Sequence, residues 1–198
     1  MSQRPATLVL ASGSPRRRDL LTRAGLAFRV QPSAVDESAQ VGESASRQAL
    51  RLAREKAEDV AQRLAEAGED AAVLGADTLV VIDGEALGKP DDPEHAVKLL
   101  SRLVGRRHVV VTAVALVAGS TPTRSFAVES GVVMRDADEA EIRAYVAGGE
   151  PLDKAGAYAA QGDGRRFIER IEGSETNVIG LPMDETLALL REAGVEGA

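Results

Sequence analysis

HVVVTAVALV (His108–Val117) and TRSFAVESGVVM (Thr123–Met134) decide the fold class. Both are long runs rich in β-branched residues, a composition that suits a pleated, half-buried surface. The Gly119-Ser120-Thr121-Pro122 segment between them reads as a turn, so the runs are expected side by side as antiparallel strands. Upstream, Asp92 and Pro93 supply an N-cap and a first helical residue, and Val97, Leu99, Leu100 and Leu103 form the apolar side of that helix. A longer helix is expected from Glu43 to Ala67, where Ala49, Ala53, Ala57, Val60 and Leu64 recur at spacings of three or four. Val73-Leu74 and Thr78–Ile82 carry β signals with Gly75-Ala76-Asp77 between them, and Asp83-Gly84 reads as a tight turn into a short return strand.

At the start, Thr7–Ala11 is a short β run, Ser12-Gly13-Ser14-Pro15 a turn, Arg16–Arg23 a helix closed by Gly25, and Ala27–Val30 a second short strand. Downstream, Asp136 and Glu139 suggest a capping box for a helix ending at Gly148-Gly149. Pro151–Gly164 reads as a loop, Phe167–Ile171 as a strand and Asp184–Glu192 as the last helix. Strands and helices interleave without strict βαβ repetition. The expected class is α/β: a mixed twisted sheet flanked by helices, in a single domain spanning residues 1–198.

Composition narrows the chemistry. Cysteine is absent and the only histidines are His95 and His108, which excludes thiol nucleophiles and thiolate zinc sites and disfavours a multi-histidine metal centre. Three Phe, two Tyr and no Trp leave almost no material for binding single strands by stacking. A net charge of −7 makes a poor general nucleic-acid or anionic-membrane binder, so any anion site must be a local basic pocket. No apolar run reaches membrane-span length and the first residues do not read as a signal peptide, so a cytoplasmic location is expected.

Six stretches could carry chemistry. LASGSPRRR (Leu10–Arg18) sets two hydroxyls and three guanidiniums where a strand gives way to a helix, a geometry suited to phosphate; equally, Ser14 caps the helix and the arginines form a solvated face. Asp77 in Gly75-Ala76-Asp77-Thr78 either orients water or holds Mg²⁺ at a strand end, or is a turn aspartate bonding its own backbone. Lys89 in Gly88-Lys89-Pro90 lacks the context of a P-loop, and Lys56 lies beside the Ala53/Ala57 face of the long helix; each is a phosphate contact or an ordinary surface lysine. Asp36-Glu37 are metal ligands or solvated loop charge. In DKAGAYAAQG (Asp153–Gly162) the Gln161 amide offers a donor and an acceptor that match the imide edge of uracil or thymine, or the stretch is a tight structural loop. Together these groups fit hydrolysis of a nucleoside triphosphate better than acyl or hydride transfer, because phosphoryl chemistry depends on positioning and charge neutralisation.

LASGSPRR, LAREKA, LGADT, GKP and GEPLDKAGAYAAQG, followed by IEGS and VIGLP, resemble in order the Maf family of nucleotide pyrophosphatases, also described as septum-formation inhibitors. The resemblance runs from about Leu8 to Leu190. It implies two lobes around a central cleft, related in shape to the inosine-triphosphate pyrophosphatases. It also implies dependence on Mg²⁺ or Mn²⁺, α–β cleavage to a nucleoside monophosphate and pyrophosphate, and a homodimer. By motif, Asp77 resembles the proton-accepting acid. Ser14, Arg16, Arg17, Lys56 and Lys89 match positions that hold the triphosphate, with Lys89 expected to act in catalysis. Glu37 falls near an acid linked, with Asp77, to the metal. Arg16, Thr78 and Gln161 match positions tied to base choice. AGAY-x-x-QG is similar to the dTTP/UTP subfamily, with modified pyrimidine nucleotides a further candidate class; the 7-methyl-GTP type typically has EG in place of QG. A 7-methyl-GTP or inosine-triphosphate pyrophosphatase and a nucleotide-binding regulator of cell division are the alternatives. Gly162-Asp163-Gly164-Arg165-Arg166 is assigned no role.

Overall fold

The computed structural model describes residues 7–119, 121–195 and 197. Its organising strand is β1 (Thr7–Leu10), which pairs in parallel with β2 (Phe28–Val30) on one side and β3 (Ala71–Ile82) on the other. Leu8, Val9 and Leu10 are essentially inaccessible to solvent. Such full burial is what a parallel strand between two neighbours requires, and explains why this run shows no polar alternation. The α-helix α1 (Pro15–Arg23) leads from β1 towards β2, and the 22-residue α2 (Ala45–Glu66) leads from β2 towards β3. Ser44 caps α2 by accepting the Arg47 N–H at 3.4 Å. Ala49, Leu52, Ala53, Ala57, Val60 and Leu64 make its buried stripe, as the helical spacing predicts.

The sheet has seven strands in the order β2-β1-β3-β5-β6-β7, with β4 (Glu85–Leu87) antiparallel to the end of β3. β5 (Arg107–Ala118) and β6 (Arg124–Met134) are neighbours joined by five residues, far too few for a parallel crossover. The two β-branched runs are therefore adjacent antiparallel strands; Ser120 of their connecting segment lies outside the described residues. β7 (Ile168–Glu172) pairs antiparallel with β6. The mixed sheet and interleaved helices expected from sequence are present. α3 (Pro93–Ser101), capped by Asp92 on the His95 N–H at 2.7 Å, packs against α4 (Glu139–Ala147). α5 (Glu175–Ile179) and α6 (Met183–Glu192) complete the chain.

Three local expectations are corrected. Gly75-Ala76-Asp77 does not separate two strands: β3 is continuous through it. Gly75 is required by packing, since an ideal Cβ there would lie 2.3 Å from the Ala53 carbonyl oxygen and 2.8 Å from the Ala57 nitrogen of α2. The cap of α4 is Asp138, accepting the Glu141 N–H at 2.8 Å, and not Asp136. Pro151–Gly164 is no irregular loop but is largely made of 3₁₀ turns, over Glu150–Asp153, Ala155–Ala157 and from Gly162 onward.

The chain divides into two compact units. The first comprises the described residues of Met1–Asp77, Thr112–Val128 and Gly180–Ala198; the second comprises Thr78–Val111 and Glu129–Ile179. The core of the first draws on Leu8, Leu10, Leu21, Leu52, Leu74 and Leu190, and that of the second on Leu87, Leu100, Leu103, Met134 and Phe167. Complete burial of each such side chain stabilises the fold by roughly 1.5–3 kcal/mol. Among the described residues no helix is long and apolar enough to cross a membrane.

Candidate active site

In the first unit the small residues of α2 let its backbone close onto β3 at Gly75. Asp77, two residues further along the strand, projects from the same face. Lys56, one residue before Ala57, meets it: Lys56 Nζ lies 2.8 Å from Asp77 Oδ1, and each residue is only 6% exposed. An isolated ammonium at that depth is costly, and a second carboxylate helps to neutralise it. Glu37 Oε1 reaches the same Nζ at 2.6 Å. The readings of Lys56 as a surface lysine and of Asp77 as a turn residue are both displaced. Asp77 Oδ2 is buried and has no hydrogen-bond partner among the described residues. Leaving such an acceptor unmet costs roughly 1–3 kcal/mol, so its retention points to a group that arrives during function.

The segment carrying Glu37 is pinned to α2. Arg63 Nη2 donates to the Pro32 carbonyl at 3.0 Å, the Ala34 N–H to Asp59 Oδ2 at 3.2 Å, and Arg51 Nη2 to the Ser38 carbonyl at 3.1 Å. The adjacent acid Asp36 is engaged by Ser38 instead. Its Oδ1 accepts from the Ser38 hydroxyl at 2.7 Å and the Ser38 N–H at 3.0 Å, bonds that hold its carboxyl below the ordinary range. The residues alone left Asp36 and Glu37 together, the resemblance pointed to Glu37, and the geometry sets Glu37 on Lys56.

Arg17 is buried rather than part of a solvated face. Its Nε donates to the Gly180 carbonyl at 2.8 Å, and its Nη1 donates to Ser12 Oγ at 2.8 Å and to the Ala76 carbonyl at 2.9 Å. Burial pulls its pKa down and Asp77 opposes that pull. The guanidinium thus ties the start of α1 to the residue preceding Asp77. Ser14 occupies the N-cap position of α1 but its side chain makes no cap bond; instead its N–H donates to Ser12 Oγ at 3.3 Å. Arg16 is half-buried in the first turn, which contains no acid, and Arg18 is exposed.

The second unit holds Thr78, Lys89 and Gln161. Thr78 follows Asp77 on β3 and projects to the opposite face. Lys89 is exposed and Gln161 half-buried. Their segments are tied together: the Gly156 N–H donates to the Gly88 carbonyl at 3.1 Å. Gly156 has φ +68°, and a Cβ there would lie 2.9 Å from Val80 Cγ1, so glycine alone fits. Tyr158 is anchored by His108, whose Nε2 lies 2.7 Å from the phenol oxygen in an edge-on ring contact. Burial, with Arg107 adding to it, pulls His108 down to about 4, so the pair is neutral at neutral pH.

The Gly180 carbonyl and the His108–Tyr158 pair were assigned no role in the sequence. Ser12 had a signal, as the first hydroxyl of LASGS. Gly180 appeared only as the glycine of the VIGLP motif, with nothing in the sequence to link it to Arg17, 163 residues away.

The family described as Maf-like protein matches residues 7–193 of this chain. A dTTP/UTP pyrophosphatase of Anaeromyxobacter sp. (strain Fw109-5) is 50% identical over 193 residues, covering 94% of this chain and 89% of the relative. The dTTP/UTP pyrophosphatase of Shigella sonnei (strain Ss046) is 47% identical over 184 residues, covering 93% of this chain and 91% of its own. That of Myxococcus xanthus (strain DK1622) is 48% identical over 188 residues, covering 95% and 93%.

Proposed function

The chain belongs to the Maf family, and from that premise we propose that it is a nucleoside triphosphate pyrophosphatase acting on dTTP and UTP. The observation that carries the proposal is the Asp77 carboxylate: one oxygen is held by Lys56, and the other is buried and has no hydrogen-bond partner among the described residues. In this reading a water molecule is deprotonated by Asp77 as it attacks phosphorus. A new P–O bond forms, the α–β bridging P–O bond breaks, and pyrophosphate leaves with the bonding electrons. Lys56 holds the Asp77 carboxylate in place and adds positive charge. Lys89, Arg16, Arg17 and Ser14 supply cations and a hydroxyl to the phosphates. General-base action of this kind contributes about 10²–10⁴-fold.

The donor set fits a hard divalent cation. Asp77 and Glu37 place carboxylate oxygens on one common ammonium, and one Asp77 oxygen has no hydrogen-bond partner among the described residues. Among those residues no cluster of three His, Cys, Asp or Glu side chains occurs. Mg²⁺ commonly uses only one or two carboxylates and completes its shell with phosphate oxygens and water. Asp77 and Glu37 would hold Mg²⁺ or Mn²⁺, which when bound supplies charge neutralisation and polarisation of phosphate oxygens.

Gln161, with Thr78 and Arg16, is proposed to choose the base. A fixed amide gives its N–H to a pyrimidine carbonyl and accepts the imide N–H on its oxygen. Cytosine presents a bare ring nitrogen there, leaving an acceptor facing an acceptor. Release of pyrophosphate and monophosphate, measured across dTTP, UTP, CTP, GTP, 7-methyl-GTP and ITP with Mg²⁺ and with EDTA, tests the proposal. Preference for UTP and dTTP, abolished by EDTA, is expected. Preference for a purine nucleotide, or no hydrolysis of any, overturns it. A homodimer in the cytoplasm completes the reading, and light scattering of the purified protein checks the dimer.

A further inference from the structure

Gln161 lies on a short arch of backbone that one carboxylate holds from within. Glu150, at the head of the first 3₁₀ turn, accepts the Asp163 N–H on Oε1 at 3.1 Å and the Gly164 N–H on Oε2 at 2.8 Å. It also accepts the Tyr145 hydroxyl, and that oxygen in turn accepts the Ala159 N–H at 3.3 Å. The backbone is therefore pinned two residues before Gln161 and two residues after it, through a single two-residue relay. The fit is close enough to dictate sequence. Gly162 has φ +73°, and a Cβ there would lie 2.1 Å from Glu150 Oε1. A Cβ on Gly164 would lie 2.6 Å from both the Ala159 carbonyl and the Tyr145 hydroxyl. The stretch given no role in the sequence is thus shaped around Glu150. Glu150 also holds its place from the other side, since its own carbonyl accepts from Lys154 Nζ.

A carboxylate is the group this geometry needs. Two backbone donors and one phenol donor converge on it, which requires two oxygens acting only as acceptors. A glutamine has one such oxygen and would set an NH₂ against an N–H. Burial alone pushes the Glu150 carboxyl up, but the bonds from Tyr145, Gly164 and Asp163 outweigh it and leave the group below its ordinary value. None of these groups belongs to the Asp77 cluster.

We propose that Glu150, acting through Tyr145 and the 159–164 backbone, is the positioning residue that gives the enzyme its base selectivity by fixing the Gln161 amide. The inference rests on the reading that Gln161 contacts the base. An amide that must bond a carbonyl and an imide N–H at once tolerates little displacement, and a site built on such bonds discriminates only while they are aligned.

The test compares Glu150→Gln, Tyr145→Phe and Gln161→Ala with wild type. The readout is kcat and KM for UTP, CTP and GTP, with cooperative melting of each protein as the folding check. Tyr145→Phe keeps the ring that packs edge-on against Phe167 at 5.3 Å and removes only the hydroxyl, so it decides the matter if Glu150→Gln does not fold. The UTP-to-GTP ratio of kcat/KM is expected to fall about tenfold in Glu150→Gln and severalfold in Tyr145→Phe, with the loss in KM for UTP rather than in kcat. An unchanged ratio, or an equal loss on all three nucleotides, overturns the inference. Gln161→Ala separates the two levels. If it abolishes selectivity while the other two variants keep it, only the positioning role fails. If it keeps selectivity, base reading by Gln161 fails and the inference with it.

Discussion

Asp77 and Gln161 are held in place by opposite means. Asp77 stands within a continuous strand, and its partners come from a 22-residue helix and from a segment bonded to that helix. Gln161 stands among 3₁₀ turns, where backbone N–H groups are gathered by Glu150 and Tyr145. Around Asp77 the charged side chains face one another, while around Gln161 they organise the main chain. The difference suits the two proposed tasks. Neutralising a triphosphate needs fixed charges on rigid elements, whereas distinguishing one flat base from another needs an amide whose backbone is aligned within tenths of an ångström.

Four substitutions probe that contrast. Asp77→Asn should have the largest effect, lowering kcat/KM by about 10²–10⁴-fold on every nucleotide alike while melting stays cooperative; a loss confined to one base would break the division of labour. Gly75→Ala should come next. Its Cβ would overlap the backbone of α2, which cannot retreat without moving Lys56, so a loss of roughly 2–3 kcal/mol in urea unfolding is expected, together with loss of activity. A fully active, stable variant would show that the α2–β3 approach does not set the Lys56–Asp77 distance.

The buried His108–Tyr158 pair predicts a pH dependence belonging to the Gln161 side. His108 is pulled down from 6.5 to about 4 by burial and by Arg107. The unfolded chain thus binds the proton more readily than the folded one. The contribution is fully present above about pH 6.5 and is lost as pH falls towards about 4, on the order of 3 kcal/mol in all. Urea midpoints measured across that range should fall in wild type, and fall less steeply in His108→Gln; parallel curves would assign the acid loss to other groups. Gln161→Glu should have the smallest effect in energy but the most selective one. Removing the amide donor and placing charge beside a pyrimidine carbonyl should lower the ratio of kcat/KM for UTP to that for GTP by about tenfold, with little change in contacts to phosphate. Equal ratios in both proteins would make Gln161 a loop residue only.

Local signals carried the fold far. The alanine spacing of α2, the Asp92-Pro93 start of α3, the Asp83-Gly84 turn and the β5/β6 runs each depend on neighbours within a few residues, and each element forms where its pattern sits. Gly75 was misread because an unbranched residue in an apolar run looks the same whether it bends the chain or admits a helix. Only the position of Ala53, distant in sequence, tells the two apart. The cap of α4 slipped by two residues for a milder reason: Asp136 and Asp138 offer the same side chain, and only the folded backbone shows that the second one caps.

The candidate residues divide along the same line. The sequence by itself determined which chemical groups are available: no thiol, two histidines, and hydroxyls, arginines, lysines and acids in an order that resembles one family. Tertiary structure decided which of them meet. It brought Lys56 to Asp77 across 21 positions, set Glu37 on the same ammonium, buried Arg17 against a carbonyl 163 residues away, and made Glu150 the anchor of the Gln161 arch. Propensity and capping act through neighbours along the chain, so they can be read from it. Whether a charge is buried, paired or left with an unmet oxygen depends on what the folded chain sets beside it, and that is settled only when helices and strands pack.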